Sequence, residues 1–125
     1  MRPKSLDQFD IVERTFRFAL QIVRLCQEID GKPGVTRTLA LQLLRSGTSI
    51  GANVEEAQAG QSRADFISKY AIALKEAREA AYWLRLLDES NILKARPIEP
   101  LRTEAAELGR ILGAIVSKAK RNSQP

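Results

Sequence analysis

The sequence predicts an all-α protein, a single domain over residues 1–125 folded as an antiparallel up-down-up-down four-helix bundle. Three observations carry this prediction. Apolar residues recur every three or four positions through four long stretches, the spacing of one face of an α-helix. Segments containing glycine or proline interrupt that pattern between the stretches, and nowhere does the chain alternate with the period of a strand. Aromatic residues make up only 6% of the chain and alanine is frequent, a mix that favours helices over sheets. A chain of 125 residues can bury one core, and short joins make successive helices antiparallel neighbours.

The first helix is expected over about residues 6–29. Phe9, Val12, Phe16, Ala19, Val23 and Cys26 step by three and four and form an inward seam. Ile11, Phe18, Ile22, Leu25 and Ile29 lie beside that seam, so the apolar stripe is wide. Asp7 and Asp10 suit the positive N-terminal end of the helix dipole. The run Asp30-Gly31-Lys32-Pro33-Gly34 stops the helix, because glycine tolerates left-handed geometry and proline removes a donor.

A second helix is expected over about 36–59, with Thr36 as its N-cap and Leu39, Leu43, Ile50, Val54 and Ala57 on its core face. Gly47 and Gly51 share one face of it, and each costs about 1 kcal/mol relative to alanine in a helix interior. Close approach by a neighbouring helix explains them. A kink or a break into two helices is the other reading. Close approach is favoured because the apolar periodicity continues on both sides.

Ser62 reads as the N-cap of a third helix over about 63–89, with Asp65 three residues on. Phe66, Tyr70, Ala73, Ala77, Ala80, Leu84 and Leu87 form the most regular heptad in the chain. Asp65/Lys69, Lys75/Glu79 and Arg85/Glu89 are spaced as i,i+4 pairs of opposite charge. The connection from Ser90 to Pro97 is expected to lay Ile92 and Leu93 over the bundle end. The fourth helix is expected over about 98–120, with Leu101, Ala105, Leu108, Leu112, Ile115 and Ala119 inward and a frayed tail from Arg121.

Composition excludes several classes of function. Histidine is absent, which removes the commonest general base and the commonest metal ligand. Bundle metal sites normally use Glu-x-x-His, so Glu55, Glu56, Glu76 and Glu79 are expected to bind no metal, and Glu76 and Glu79 read as a solvated face beside lysine and arginine. Ser46, Thr48 and Ser49 have no histidine to activate them, and Gly31-Lys32-Pro33-Gly34 lacks the spacing of a phosphate loop. The expectation is no catalytic residue, no metal and no cofactor. No apolar run reaches the roughly 20 residues of a membrane span, the N-terminus carries no signal-peptide core, and the lone Cys26 suits a reducing compartment. A cytoplasmic protein is expected.

The stretch SGTSIGANVEEAQAGQSRADF resembles the signature of a bacterial four-helix bundle family whose name-giving members are encoded in intervening sequences of 23S ribosomal RNA genes. The accessory proteins of diversity-generating retroelements are similar. Arg45, Ser49, Ile50, Asn53 and Glu56 fall on the family pattern, with Val54 in an isoleucine place, and Ser62, Phe66, Ala73 and Glu79 also correspond. Three positions depart from it. Gly51 stands where many relatives have proline, Ala57 where they have glycine, and Gly60 where they often have a basic residue. The resemblance implies an up-down bundle, a homopentamer and no enzyme activity, with RNA or ribosome association implied more weakly.

The polar residues Arg45, Ser49, Asn53 and Glu56 sit in an otherwise apolar helix. They read either as a binding surface or subunit network, or as structural hydrogen bonds that hold helix register. The net charge of +5 is compatible with an anionic partner, nucleic acid first. Lys118, Lys120 and Arg121 are the leading candidate contacts, with Arg37, Arg63 and Lys69 behind them. Complementarity to the helix dipole is the plainer reading of the basic C-terminus. Phe9, Phe16, Phe66 and Tyr70 are assigned to the core, so binding through phosphates and poor in sequence discrimination is expected. Leu41, Leu44, Ile67, Leu74 and Trp83 are apolar in excess of one bundle's needs, which predicts a homo-oligomer. The functional expectation is a non-enzymatic oligomeric scaffold that engages RNA or a ribonucleoprotein. The alternative is an adaptor for a neighbouring gene product without nucleic-acid contact, and a small-molecule-binding bundle comes third.

Overall fold

A computed structural model of the protein describes residues 6–29, 31–60, 62–93 and 97–123, with side chains from residue 11 onward. It contains α1 (Leu6–Gln27), α2 (Val35–Gln58), α3 (Arg63–Glu89) and α4 (Glu99–Asn122), and no strand among the described residues. Each helix packs on its sequence neighbours and α4 returns to α1, where the contact is the slightest of the four. The register shows the direction of each turn. Ile22 meets Gly47 while Thr15 meets Gly51, Arg45 reaches Glu76 while Gln58 reaches Tyr70, and Asp88 holds Arg102 while Leu74 approaches Gly113. In each pairing one number rises as the other falls, so neighbouring helices run antiparallel.

The helix ends follow from local chemistry. Gly34 caps α2 at φ 152°, a conformation that excludes a side chain, and the helix begins at Val35. Thr36 therefore lies inside the first turn instead of capping it, and Thr38 returns its hydroxyl to the Gly34 carbonyl at 3.0 Å. Ser62 caps α3 by accepting the Asp65 amide at 3.0 Å. Pro100 stands in the first turn of α4, where a missing amide hydrogen costs nothing, and the preceding Ile98 is buried. Helix α4 continues to Asn122, so Arg121 is helical and not part of a frayed tail.

Interior residues of α2 and α3 match the spacing closely, with Leu43, Ile50 and Val54 packed against Tyr70, Ala73, Ala77, Ala80, Leu84 and Leu87. Helix α1 is turned differently from the expected seam. Ile11, Thr15, Phe18, Ile22 and Leu25 are buried, whereas Phe16 is 54% exposed and Val12, Ala19, Val23 and Cys26 are only half-buried. The second apolar set is thus the core set. The cause is the fit against α2, which accepts the line of Thr15 and Ile22 and leaves Phe16 outside. In α4 Val116 takes the buried place expected for Ile115, which is half-buried beside it. Leu93 packs against the core from the α3–α4 connection. The expectations for Asp7, Phe9 and Asp10 concern side chains outside the described set.

The α1–α2 contact has no space for a side chain on the α2 glycines. A Cβ on Gly47 would lie 3.0 Å from Ile22 Cγ1 and Cγ2, and one on Gly51 would lie 3.2 Å from the Thr15 carbonyl oxygen. The hydroxyls at this contact are turned back into their own helices. Thr15 Oγ1 donates to the Ile11 carbonyl at 2.8 Å, and Ser46 Oγ donates to the Gln42 carbonyl at 3.1 Å. Neither needs water, so the interface can be dry. Gly51→Leu should therefore lower stability by about 1–3 kcal/mol or more in urea titration, since the backbone of α1 cannot yield as a side chain could. Gly109→Ala is the contrasting case. A Cβ there meets nothing within 4 Å, and the substitution should add about 0.5–1 kcal/mol from helix propensity. Equal midpoints for the two variants would contradict the close approach.

Candidate functional site

Arg45 on α2 projects to α3, where it pairs with Glu79 and stands 3.5 Å from Glu76 Oε2. Glu76 is buried, which corrects the expectation of a solvated face. Adjacent positions on a helix point about 100° apart, so Lys75 and Arg78 lean away while Glu76 sits on the flank facing α2. Glu79 also accepts from Trp83 Nε1 at 3.4 Å, and Arg45 is the cation it pairs with across the seam. The two carboxylates hold the Arg45 proton more firmly than usual, Glu79 chiefly by its hydrogen bond. Glu76 Oε2 is fully buried and makes no hydrogen bond, so the Arg45 charge is its main compensation.

The other motif residues do not join this pair. Ser49 Oγ donates to the Arg45 carbonyl at 2.6 Å and Asn53 Nδ2 donates to the Ser49 carbonyl at 2.8 Å, both within α2. Thr48 makes the same kind of bond to Leu44 at 2.7 Å. Glu56 is exposed. Of the four polar motif residues, Arg45 alone reaches another helix.

Three of the basic residues meet at one end of the bundle. A cleft of about 790 Å³ opens there between the C-terminal halves of α2 and α4 and the start of α3. Arg63, Arg110 and Lys118 line it, and no carboxylate does among the described lining residues. Arg110 is bound to Glu107 at 2.5 and 3.2 Å, and that contact holds the Glu107 carboxyl below its ordinary range. Phe66, Ile111 and Ile115 form the apolar wall. Phe66 is thus half-buried on the cleft and not enclosed in the core, because it lies in the first turn of α3 where the bundle ends. Its ring stands 4.5 Å from that of Tyr70, whose hydroxyl accepts from Gln58 Nε2 at 2.8 Å. Burial pushes the Tyr70 phenol up, and the Gln58 donor only partly offsets this.

Of the predicted contacts, Arg63 and Lys118 meet at this cleft, and Lys120 and Arg121 are exposed in the last turn of α4. Lys69 is half-buried and does not line the cleft. Arg37 lies in the first turn of α2, roughly 30 Å from the cleft at 1.5 Å per residue. Sequence reasoning did not single out Arg110. It also passed over Arg14, Arg17 and Arg24, which line a smaller groove between α1 and α4. Their spacing on one helical face was the available signal. Arg14 there makes two bonds to Glu104, at 2.7 and 3.1 Å, and Arg17 bonds Glu13 at 2.9 Å.

The outer faces carry apolar side chains. Phe16 (54%), Leu20 (37%), Leu41 (53%), Ile72 (39%) and Tyr82 (55%) are exposed. Leu44, Leu74 and Trp83, expected to be surplus, instead pack partly against the bundle's own core. Among the described residues no three His, Cys, Asp or Glu side chains are grouped to hold a metal ion, and no helix is long and apolar enough to cross a membrane.

Comparison with known proteins adds a family and a solved relative. The family model of the 23S rRNA-intervening sequence proteins matches residues 7–114. A solved structure from Bacteroides thetaiotaomicron, described as a protein of unknown function from the S23 ribosomal protein family, is 38% identical with a TM-score of 0.80. The match covers 90% of this chain and 99% of that one. No curated protein matches the sequence.

Removing Arg45 should leave the Glu76 charge uncompensated. Because Arg45 is half exposed, Arg45→Ala should lower the urea midpoint by less than breaking a fully buried pair would. In a Glu76→Gln background the same substitution should cost clearly less. Additive losses in a double-mutant cycle of urea midpoints would show that the two side chains do not interact.

Proposed function

The chain belongs to the 23S rRNA-intervening sequence protein family, and from that premise we propose that it acts as a non-enzymatic, homo-oligomeric binding protein that contacts RNA through phosphates. The observation that supports this reading best is the convergence of Arg63, Arg110 and Lys118 from α3 and α4 on one cleft without a carboxylate among its described lining residues. Lys120 and Arg121 extend the positive surface past the cleft along the last turn of α4. Exposed cations of this kind engage the phosphate backbone and read little of the base sequence. The lone Cys26, half-buried with its thiol directed at the Ala40 carbonyl, suits a cytoplasmic setting.

Binding should be visible in electrophoretic shifts at low salt and weaken steeply as salt rises, with a log–log slope of about −0.7 for each phosphate neutralised on a single strand. Arg63→Glu with Lys118→Glu should flatten that slope, while sequence changes in the RNA should matter little. No shift at low ionic strength, or strong sequence preference, would contradict the reading and favour the adaptor.

Association of copies rests on Phe16, Leu20 and Leu41, which are large, apolar and exposed on α1 and α2. Apolar surface favours burial by about 25 cal/mol per Å², and closed homo-oligomers are the usual outcome. Five subunits is the number that the family resemblance implies. Light scattering at micromolar concentration should give a multiple of the 13.9 kDa chain mass, and Phe16→Glu with Leu41→Glu should lower it. A wild-type protein of single-chain mass would refute oligomerisation.

A further inference from the structure

The bundle-end cleft has more character than phosphate contact requires, since it joins an apolar wall to a cationic rim. We propose that this cleft is a binding site for small amphipathic anions, molecules with an aromatic or aliphatic body and one phosphate or carboxylate head. Its volume of about 790 Å³ falls within the roughly 300–1,000 Å³ of small-molecule sites. Phe66 from α3 and Ile111 and Ile115 from α4 present half-buried apolar surface to it. Ala57 and Ala114 are small, which leaves the space open between the larger side chains. Arg63 and Lys118 come from different helices, so the cationic rim exists only in the folded bundle.

Each half of the ligand follows from one half of the site. An inorganic anion would pair with the rim and leave the apolar wall in water. A neutral apolar molecule would cover the wall and strip water from the cations without compensation, which is unfavourable. An anion with an apolar body satisfies both. The groove between α1 and α4 offers a useful contrast. It also has arginines, but Glu104 lines it and holds Arg14, and Glu13 holds Arg17. The end cleft has no carboxylate among its described lining residues; Glu107 beside it holds Arg110, and Arg63 and Lys118 form the rim.

This inference goes beyond the RNA reading and does not require it. The test is calorimetric titration of the full chain with two charged probes, adenosine 5′-monophosphate and decanoate. Adenosine, decanol and inorganic phosphate serve as the headless and bodiless counterparts. At least one charged probe should bind at one site per chain, about tenfold or more tighter than its headless counterpart and than inorganic phosphate. Preference for the nucleotide assigns an aromatic body, and preference for decanoate assigns an acyl chain. Arg63→Glu and Lys118→Glu should each weaken that binding by about tenfold, and Arg78→Glu, exposed on α3 and outside the cleft lining, should leave it within about twofold. Circular dichroism checks that each variant folds. The proposal is overturned if neither charged probe binds, if inorganic phosphate binds as well, or if folded Arg63→Glu and Lys118→Glu variants bind normally. RNA shifts on the same variants report the RNA reading separately.

Discussion

The approach of α1 to α2 over Gly47 and Gly51 is the constraint on which the rest of the bundle depends. With Ile22 against the first glycine and the Thr15 backbone against the second, the separation and the rotation of the two helices are both set. Rotation decides which side of α1 faces inward. Once Thr15 and Ile22 are in the contact, Ile11, Phe18 and Leu25 must follow them into the core and Phe16 and Leu20 must face out. The apolar exposure that favours association is therefore a consequence of an internal contact. The hydroxyls of Thr15 and Ser46 allow it, since each is satisfied by a carbonyl of its own helix and leaves no buried donor.

The remaining seams are bridged by ion pairs at their edges. Arg45 joins α2 to Glu76 and Glu79 of α3, Arg102 joins α4 to Asp88 of α3, and Arg14 joins α1 to Glu104 of α4. Arg102 and Arg14 are about one-quarter to one-third exposed, and pairs near the surface contribute little to stability. Their effect is to favour one register over neighbouring ones. The Arg45 pair differs because Glu76 is buried with an oxygen that lacks a hydrogen bond, so there the cation is needed to make the burial tolerable.

Function on such a scaffold resides in its surfaces, because a four-helix bundle supports many unrelated activities. Here the two kinds of surface are separated. Exposed apolar residues lie along the helices, whereas a cationic rim and an apolar wall meet at one end. A bundle arranged in this way can associate through its sides while its end remains open to an anionic ligand.

The sequence by itself determined the helices, the breaks between them and the order in which they pack. Those features depend on local periodicity and on glycine, proline and serine at the ends. The heptad of α3 was legible for the same reason, from Tyr70 to Leu87, because its steps of three and four run unbroken along the helix. Helix α1 has a wide stripe, and periodicity cannot choose between two adjacent faces that both fit. Only the contact with Gly47 and Gly51 chose. Glu76 was misread because its sequence neighbours are basic, whereas its spatial neighbour is an arginine on another helix. Arg63 and Lys118 stood out by charge, but their meeting with Arg110 and Phe66 joins residues far apart in the chain. Such a juxtaposition exists only after the helices have turned and docked, and no local pattern encodes it.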